Sequence, residues 1–319
     1  MRAFRIAYDG RPFSGFQRQP DVPTVEDVLF DALDDLGVAD LPRGPSGRRP
    51  RPTGYAAAGR TDAGVSAAAQ TIAFEAPDWL TPRAFNGQLP KQVRVWAAAD
   101  VPDGFHATHD ATRRTYRYHL YAPTDPGLTG DGSTGAGVAS EPPAVAPLVD
   151  DDRVRTALAR LAGEHDFHNL TPDETGTVRT VATKADRDGD LLVIEVSADG
   201  FPREFVRRLV TLVRAIGTGD APISRIDRLL APEPASGPDG IGPAPPTPLV
   251  LWDVEYAPRD APDAVDRTEG PITFESDPEA VASACTAFGE EHTNARHAAA
   301  ATDALRRRVG SGASSVRRS

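Results

Sequence analysis

Alternating and helix-spaced hydrophobic residues predict strands and helices in the first third of the chain. Residues 2–9 alternate between apolar and polar side chains and predict a strand. Thr24 with Asp27 resembles a capping box and predicts the start of a helix whose apolar stripe stops at Gly37. Further on, the pattern predicts a strand at 70–75, a short helix over 81–89 with Pro82 at its first position, and a strand over 93–101.

The middle of the chain continues the pattern. In the predicted strand over 111–122, Tyr116 and Tyr118 share one face, and Arg117 and His119 share the other. A tyrosine row in a strand is usually core, but in a nucleic-acid enzyme it can be a stacking platform. The remaining predicted elements are helices over 153–161, 204–217 and 223–230 and a closing strand over 249–256. Strands over 178–186 and 191–198 are joined by residues 187–190, in which Asp188-Gly189 is a hairpin signal.

Proline- and glycine-rich segments separate these elements, and the composition changes near the end of the chain. We interpret 124–147 and 232–248 as surface loops, and the basic segment 43–52 as a solvated loop whose arginines could touch phosphate, namely Arg48, Arg49 and Arg51. From 258 onward the chain is rich in Ala, Asp and Glu. A helix over about 278–309 and a partly disordered tail are both open interpretations of that segment.

Composition places the chain among globular proteins and favours a reducing cellular compartment. The chain has 319 residues, 39% of them hydrophobic, which is enough for two domains. Cys285 is the single cysteine, which excludes an internal disulfide and fits a reducing compartment. With neither an apolar leader nor a membrane-length apolar run, we expect a soluble, cytoplasmic protein.

The acidic net charge does not exclude nucleic acid as a binding partner. A formal net charge of −11 opposes binding to nucleic acid, which needs Lys and Arg at phosphates. Only two of the 35 basic residues are lysines, so the positive charge is nearly all arginine, which binds phosphate bidentately. An acidic, lysine-poor composition is what we expect of a protein from a high-salt cytoplasm, a hypothesis that unchanged folding at millimolar KCl would contradict.

The stretch from Ala58 to Val65 carries the clearest candidate chemistry. It places one acid, Asp62, between Gly59 and Gly64 and two residues after Arg60. Glycine permits tight turns and close approach of the backbone to a ligand. Because a β-prone run follows, we expect Asp62 on a loop at the edge of a sheet. On composition alone, a solvated turn acid is the commoner case.

The residues Gly59-Arg60-Thr61-Asp62-Ala63-Gly64-Val65 resemble the signature of the tRNA pseudouridine synthase A family, in which the aspartate is catalytic. The resemblance continues through 8–10, 13–19, 105–107, 114–118 and 201–217, and fades after about Tyr256. It implies an α+β pseudouridine synthase fold in which two related halves share a mixed, mostly antiparallel sheet around a central cleft. We expect an N-terminal half over 1–110, a C-terminal half over 111–257 and an appended tail over 258–319.

The family resemblance also implies a reaction and a set of residues. The enzyme would isomerise uridine to pseudouridine in the anticodon stem and loop of tRNA, as a homodimer and without a cofactor. Asp62 would be the essential carboxylate, paired with Arg207, which keeps a part-buried aspartate ionised. Tyr116 would stack on the target base and has been considered for handling the C5 proton, and Arg60 would help hold the base out of its stack.

Some positions depart from the family pattern, and other functions stay open. Ser66 replaces the usual histidine and Phe16 a common tryptophan, and Arg203 and Glu204 replace residues that are often histidine. These changes affect RNA contacts more than catalysis. A non-catalytic RNA-binding protein of the same fold and an aspartate-dependent hydrolase unrelated to RNA are the alternatives.

Metal and nucleotide chemistry receive little support from the sequence. Two His-x-x-His spacings occur, at 106–109 and 165–168, but neither has the further acidic or cysteine ligands that complete a zinc site. Nucleophile-elbow and P-loop motifs are not found. The sequence therefore predicts no metal.

Overall fold

The computed structural model describes residues 1–38, 50–123, 148–235, 240–256 and 271–316. Within this part of the chain, ten strands form one sheet in the order β10-β4-β1-β3-β9-β5-β8-β7-β6, with β2 beside β3. The strands are β1 (Arg2–Tyr8), β2 (Ala56–Ala57), β3 (Ser66–Phe74), β4 (Val93–Asp100), β5 (Arg113–Tyr121), β6 (Gly163–Asp166), β7 (Val178–Asp188), β8 (Leu191–Ala198), β9 (Leu249–Glu255) and β10 (Glu275–Ser276).

Six α-helices accompany the sheet in the described residues. They are α1 (Val25–Asp35), α2 (Pro82–Asn86), α3 (Asp151–Leu161), α4 (Phe205–Thr218), α5 (Arg225–Leu229) and α6 (Pro278–Val316), and a 3₁₀ turn spans His168–Leu170. No helix in this part of the chain has an apolar span of the length that crosses a membrane. The mixture of helices with a mostly antiparallel sheet confirms the predicted α+β class.

The two parts of the sheet meet at a parallel pair of strands. β3 pairs with β9 through Ser66 opposite Val250 and Ala67 opposite Leu251, whereas the other strand pairs described are antiparallel. The loop that carries Asp62 ends where β3 begins. Because β3 lies between β1 and β9, the expectation that Asp62 lies at the edge of a sheet is wrong: the loop lies at a strand end in the middle of the sheet.

Buried residues form two hydrophobic clusters, one on each side of this junction. In the first, α1 and α2 cover the face of β1 that carries Phe4 and Ile6, and Phe4 contacts Phe85 edge to face at 5.8 Å between ring centroids. In the second, α3 and α4 cover β5, β7 and β8. The division of the chain at residue 110 remains a prediction.

Helix α6 covers the opposite face of the N-terminal strands. Its first turns lie beside Ala7, Ala68 and Trp96 and border, with these residues, a groove of about 640 Å³. Ala7 lies on the opposite face of β1 from Ile6, since successive residues of a strand point to opposite faces. Helices therefore cover both faces of the N-terminal part of the sheet.

Local signals give most element positions, and the differences have physical causes. The side chain of Thr24 accepts a hydrogen bond from the amide of Asp27, which confirms the predicted cap. β3 begins at Ser66 rather than at 70, because pairing with β1 and β9 extends it through a run of alanines. The β7–β8 turn is Gly189-Asp190, within the predicted connection over 187–190, because the strand pairing extends to Asp188.

Several predicted segments lie wholly or partly outside the described residues. The loop over 124–147 lies entirely outside them, as do Arg48 and Arg49 of the basic loop and part of the segment 232–248. Arg51 is described: it is exposed, and its guanidinium lies 5.9 Å from the ring centroid of Tyr55. In the tail, α6 begins at the predicted Pro278 and continues to Val316, beyond the predicted end.

Candidate active site

Hydrogen bonds fix the start of the loop over 58–65, which we call the Asp62 loop, and a left-handed glycine shapes its end. At its start, the amide of Ala58 donates to the carbonyl of Thr71 at 2.8 Å, and the side chain of Gln70 donates to the carbonyl of Gly59 at 2.8 Å. At its end, Gly64 adopts a left-handed conformation (φ +78°) that favours glycine. The loop therefore holds Asp62 on a defined backbone.

A second turn, residues 9–16, packs against the Asp62 loop. The amide of Phe16 donates to the carbonyl of Thr61 at 3.0 Å, and the amide of Gly64 donates to the carbonyl of Phe13 at 3.2 Å. A Cβ at Gly10 would lie 2.1 Å from the carbonyl oxygen of Val65, so only glycine allows this approach. Two segments that are distant in sequence thus form one support.

Tyr8, on β1, supports the Asp62 loop through a buried side-chain hydrogen bond. Its hydroxyl lies 2.8 Å from the hydroxyl of Thr61, the residue before Asp62, and both side chains are buried. Burial raises the pKa of Tyr8 well above its usual value, and the Thr61 hydrogen bond opposes this only in part. Tyr8 is therefore a neutral hydrogen-bonding group that fixes the position of Thr61, and with it the Asp62 loop, relative to β1.

Arg207 lies on α4, which packs on the C-terminal strands, and its side chain reaches Asp62. A terminal guanidinium nitrogen lies 3.1 Å from a carboxylate oxygen of Asp62, although the two residues are 145 positions apart. The Nε of Arg207 donates to the carbonyl of Ala244 at 2.7 Å, and the amide of Ala244 donates back to the carbonyl of Arg207 at 3.1 Å. The side chain of Arg207 is 13% exposed and that of Asp62 is 35% exposed. The arginine is thus held firmly, while the carboxylate stays accessible.

Helix α4 delivers Arg207 to this position through its first turn. The helix starts directly after Glu204, which has φ +59°, a left-handed conformation that is uncommon outside glycine. The carboxylate of Glu204 accepts a hydrogen bond from Arg208 at 2.7 Å. The opposite side of the helix buries an apolar stripe in the C-terminal core, which orients the face carrying Arg207.

Tyr116 lies on β5 near the same carboxylate. Its ring is part-buried and contacts Phe201 edge to face, with ring centroids 5.3 Å apart. Burial raises the pKa of Tyr116 to about 12; Arg114 opposes the shift, and the negative charge of Asp62 adds to it. Tyr118, two residues on, is 3% exposed and belongs to the C-terminal core, which separates the roles of the two tyrosines.

Arg114 is a buried link that sequence reasoning did not assign a role. Its guanidinium donates to the carbonyl of Ala58 at 2.9 and 2.7 Å, to that of Thr108 at 2.7 Å, and also to that of Asp199. It therefore ties the start of the Asp62 loop to two other loops. The signal was present in the motif Arg114-Thr115-Tyr116, but a motif alone does not separate a ligand contact from a structural one.

Arg60 and the departing residues take different positions. Arg60 is exposed, and no hydrogen bond or ion pair joins its side chain to the described residues. Ser66 accepts a hydrogen bond from the amide of Gly10 at 3.0 Å, and Phe16 is fully buried against Tyr8. Arg203 lies 3.4 Å from a carboxylate oxygen of Asp173.

The histidine pairs do not form a metal site within the described residues. The rings of His106 and His109 lie 4.1 Å apart, and Nδ1 of His106 accepts from the amides of Thr108 and His109. This geometry closes a turn. No group of three or more His, Cys, Asp or Glu side chains suited to a metal ion occurs in the described ranges.

Comparison with known proteins identifies relatives over most of the chain. A family model described as tRNA pseudouridine synthase matches residues 157–257. A tRNA pseudouridine synthase A of Haloarcula marismortui is 53% identical over 303 residues, which cover 95% of this chain and 98% of the relative. The protein of the same name from Natronomonas pharaonis is 56% identical over 256 residues, 80% of this chain and 85% of the relative.

Similarity extends to more distant relatives. A tRNA pseudouridine synthase A of Methanocella arvoryzae is 38% identical over 260 residues, 80% of this chain and 84% of the relative. Among solved structures, a Cbf5-Nop10-Gar1 complex matches with 13% identity over 67% of this chain and 45% of that chain, at a TM-score of 0.30. A score this low has no bearing on function.

Proposed function

The chain belongs to the tRNA pseudouridine synthase A family, and we propose that Asp62 is the carboxylate with which it isomerises uridine in tRNA. The observation that carries the proposal is the 3.1 Å pair between Asp62 and Arg207, formed across the junction of the two halves. It joins the accessible acid of one motif to the part-buried cation of another. A solvated turn acid would have no such partner.

The reaction needs a carboxylate but no redox group. The N1–C1′ bond of uridine breaks, the base turns, and a C5–C1′ bond forms while C5 loses a proton and N1 gains one. Asp62 either attacks C1′ as a nucleophile or removes a proton from C2′ to give a glycal. In both routes the carboxylate must be ionised and fixed, which is what the Arg207 guanidinium and the held loop supply.

Tyr116 serves as a stacking surface rather than as the base that takes the C5 proton. A group with a pKa of about 12 is protonated at neutral pH, whereas an efficient general base titrates near the working pH. The part-exposed ring next to Asp62 can instead lie against the extruded uracil, where base–aromatic stacking is worth about 1–3 kcal/mol.

Arg60 helps to hold the target nucleotide out of its stack. Its side chain is exposed two residues before Asp62 and has no partner among the described residues, so it is available to a phosphate or to the vacated position in the RNA. Extruding a base costs a few kcal/mol, which contacts of this kind offset. The uridines concerned are those of the anticodon stem and loop.

The protein works as a homodimer in the cytoplasm of a halophile. Three large apolar side chains are exposed on the face of the C-terminal strands that α3 and α4 do not cover: Tyr121, Val178 and Trp252. The guanidinium of Arg117 lies 3.9 Å from the ring centroid of Trp252 on this face. A second copy packing here would bury these residues, and light scattering of Trp252→Glu against wild type tests the contact.

Halophilic relatives and the acidic composition support the high-salt setting.

Tritium release from tRNA labelled at C5 of uridine tests the role of Asp62. Wild type should release label in molar KCl, and Asp62→Asn should release none while binding tRNA. Asp253→Asn is the matched control, because Asp253 pairs with Arg5 at 3.3 Å elsewhere on the sheet and should remain active. Release by Asp62→Asn at the wild-type rate would remove Asp62 from the chemistry. If wild type binds tRNA but releases no label, it is an RNA-binding relative without activity.

A further inference from the structure

Helix α6 changes character at Glu291. Up to that residue it packs on the sheet with one side, and Ala280, Ala284 and Ala287 are buried at helical spacing. Beyond it, from His292 to Val309, all the side chains that the structure describes are exposed except that of Asp303, which is part-buried. The helix nevertheless continues to Val316.

The unpacked part of α6 is long, and its residues up to Val309 are rich in alanine and arginine, which favour a helix. Residues 292–316 would extend about 37 Å at 1.5 Å per residue. Alanine is the strongest helix former, and four alanines occupy 298–301. Because the packed first half supplies the nucleus, the second half needs only to propagate. We call residues 292–316 the arm.

The arm carries charge opposite to that of the rest of the protein. It contains four arginines and one aspartate, a formal charge of +3, whereas residues 1–291 carry −16. Arg296 and Arg308 are exposed on it. The first half of α6 is acidic instead, and its carboxylates pair with the body: Glu279 with Arg83 at 2.7 Å and Glu291 with Arg11 at 3.2 Å.

The arm leaves the body beside the candidate active site. Glu291, the last packed residue, contacts Arg11, whose guanidinium also binds Asp9 at 2.7 Å. The next residue along from Asp9, Gly10, lies against the backbone of Val65 at the end of the Asp62 loop. An RNA bound at Asp62 is therefore close to the point from which the arm extends.

We propose that the arm is an RNA-binding element that contacts the phosphate backbone of the tRNA whose uridine occupies the site at Asp62. Polyanionic RNA complements the arm and is repelled by the acidic body, so a basic helix next to the site supplies attraction where the body cannot. A helix of exposed arginines recognises backbone charge rather than base sequence. This inference rests on tRNA being the substrate.

The test compares tRNA binding by the full-length protein and by Arg296→Gln/Arg308→Gln over a range of KCl. Each lost phosphate contact removes up to about 0.9, the value for a B-DNA duplex, from the slope of log K against log salt. Binding at 0.1 M KCl then weakens about eightfold per contact relative to binding at 1 M. We expect the double variant to bind about 8- to 60-fold more weakly at 0.1 M, to converge with wild type near 1 M, and to keep its kcat.

A matched control and a truncation complete the experiment. Arg153→Gln/Arg160→Gln makes the same change in net charge on α3 and should leave the salt slope unchanged. A chain ending at Glu291 retains the packed half of α6 and should lose more affinity than the double variant. An unchanged slope in both arm variants would overturn the proposal, as would an equal loss in the control. Unchanged tRNA binding with a shift from dimer to monomer would assign the arm to self-association instead.

The proposed catalytic role is separable from this one. Failure of wild type to bind tRNA would contradict the function itself, whereas failure of the arm variants to differ from wild type contradicts only the arm. Tritium release by the truncated chain at saturating tRNA should match wild type, since no residue of the arm belongs to the Asp62 loop or its supports.

Discussion

Replacing Arg207 with glutamine removes the cation that faces Asp62 while leaving a polar side chain on α4. Two unit charges 3.1 Å apart attract by about 5 kcal/mol at an effective dielectric of 20. Solvent at the one-third-exposed carboxylate and the cost of desolvating the guanidinium reduce this. We take about 2–3 kcal/mol as the net contribution, because the pair lies between the fully exposed and fully buried cases.

If that energy acts on the reacting carboxylate, the rate of the chemical step should fall about 30- to 160-fold, at 1.36 kcal/mol for each factor of ten. Single-turnover tritium release at saturating tRNA measures this step directly. Arg207→Lys should be intermediate, because one ammonium cannot reproduce the planar fork that reaches both the Asp62 carboxylate and the Ala244 carbonyl.

The control for this prediction is Arg2→Gln. Arg2 donates to a carboxylate oxygen of Asp100 at 2.8 Å, at the opposite end of β1 from the Asp62 loop, so its loss tests general destabilisation without touching Asp62. Its single-turnover rate should equal that of wild type. A wild-type rate for Arg207→Gln, or an equal loss in both variants, would refute the reasoning.

Three further outcomes follow from the geometry. Tyr116→Phe should keep most activity between pH 6 and 9 and Tyr116→Ala should lose it, since the ring and not a phenolate is needed; pH–rate profiles check this. Gly10→Ala should lower the thermal midpoint and activity by forcing the Asp62 loop to shift, whereas Gly59→Ala meets no atom within 4 Å and should melt as wild type. Desolvation raises the pKa values of Tyr8, Tyr116 and Tyr256. The stability that their protonated hydroxyls contribute is therefore present below about pH 10 and is lost as the pH rises further, at about 1.4 kcal/mol per pH unit for each. Alkaline unfolding followed by tyrosinate absorbance measures this loss.

Local signals allowed much of the fold to be predicted from the sequence. The cap at Thr24 and the alternation in β5 and β8 depend on neighbours a few residues away, and the structure confirms them. The association of Asp62 with Arg207 came from the family resemblance, because a pair 145 residues apart leaves no trace in periodicity.

Contacts between distant segments were beyond the reach of pattern reasoning. The parallel pairing of β3 with β9 places the Asp62 loop in the middle of the sheet, yet only two residue pairs define it. The left-handed Glu204 breaks the usual preference for glycine or asparagine, so no rule at this position predicts how α4 starts. The change from acidic to basic residues along α6 was visible in the sequence. Its meaning depends on the structure, because only the structure shows that α6 stops packing on the sheet at Glu291.

The way the Asp62 loop is held explains why departures from the family pattern leave it intact. Most of its supports are main-chain groups: the amide of Phe16 bonds to Thr61, and that of Gly64 bonds to Phe13. An amide bonds in the same way whether its residue is Phe or Trp, so the change at position 16 alters only the buried ring. Ser66 needs only a short acceptor for the amide of Gly10, at 3.0 Å. Substitutions at these positions should therefore act on RNA contacts and packing, whereas loss of Gly10 or Arg114 should move Asp62 itself.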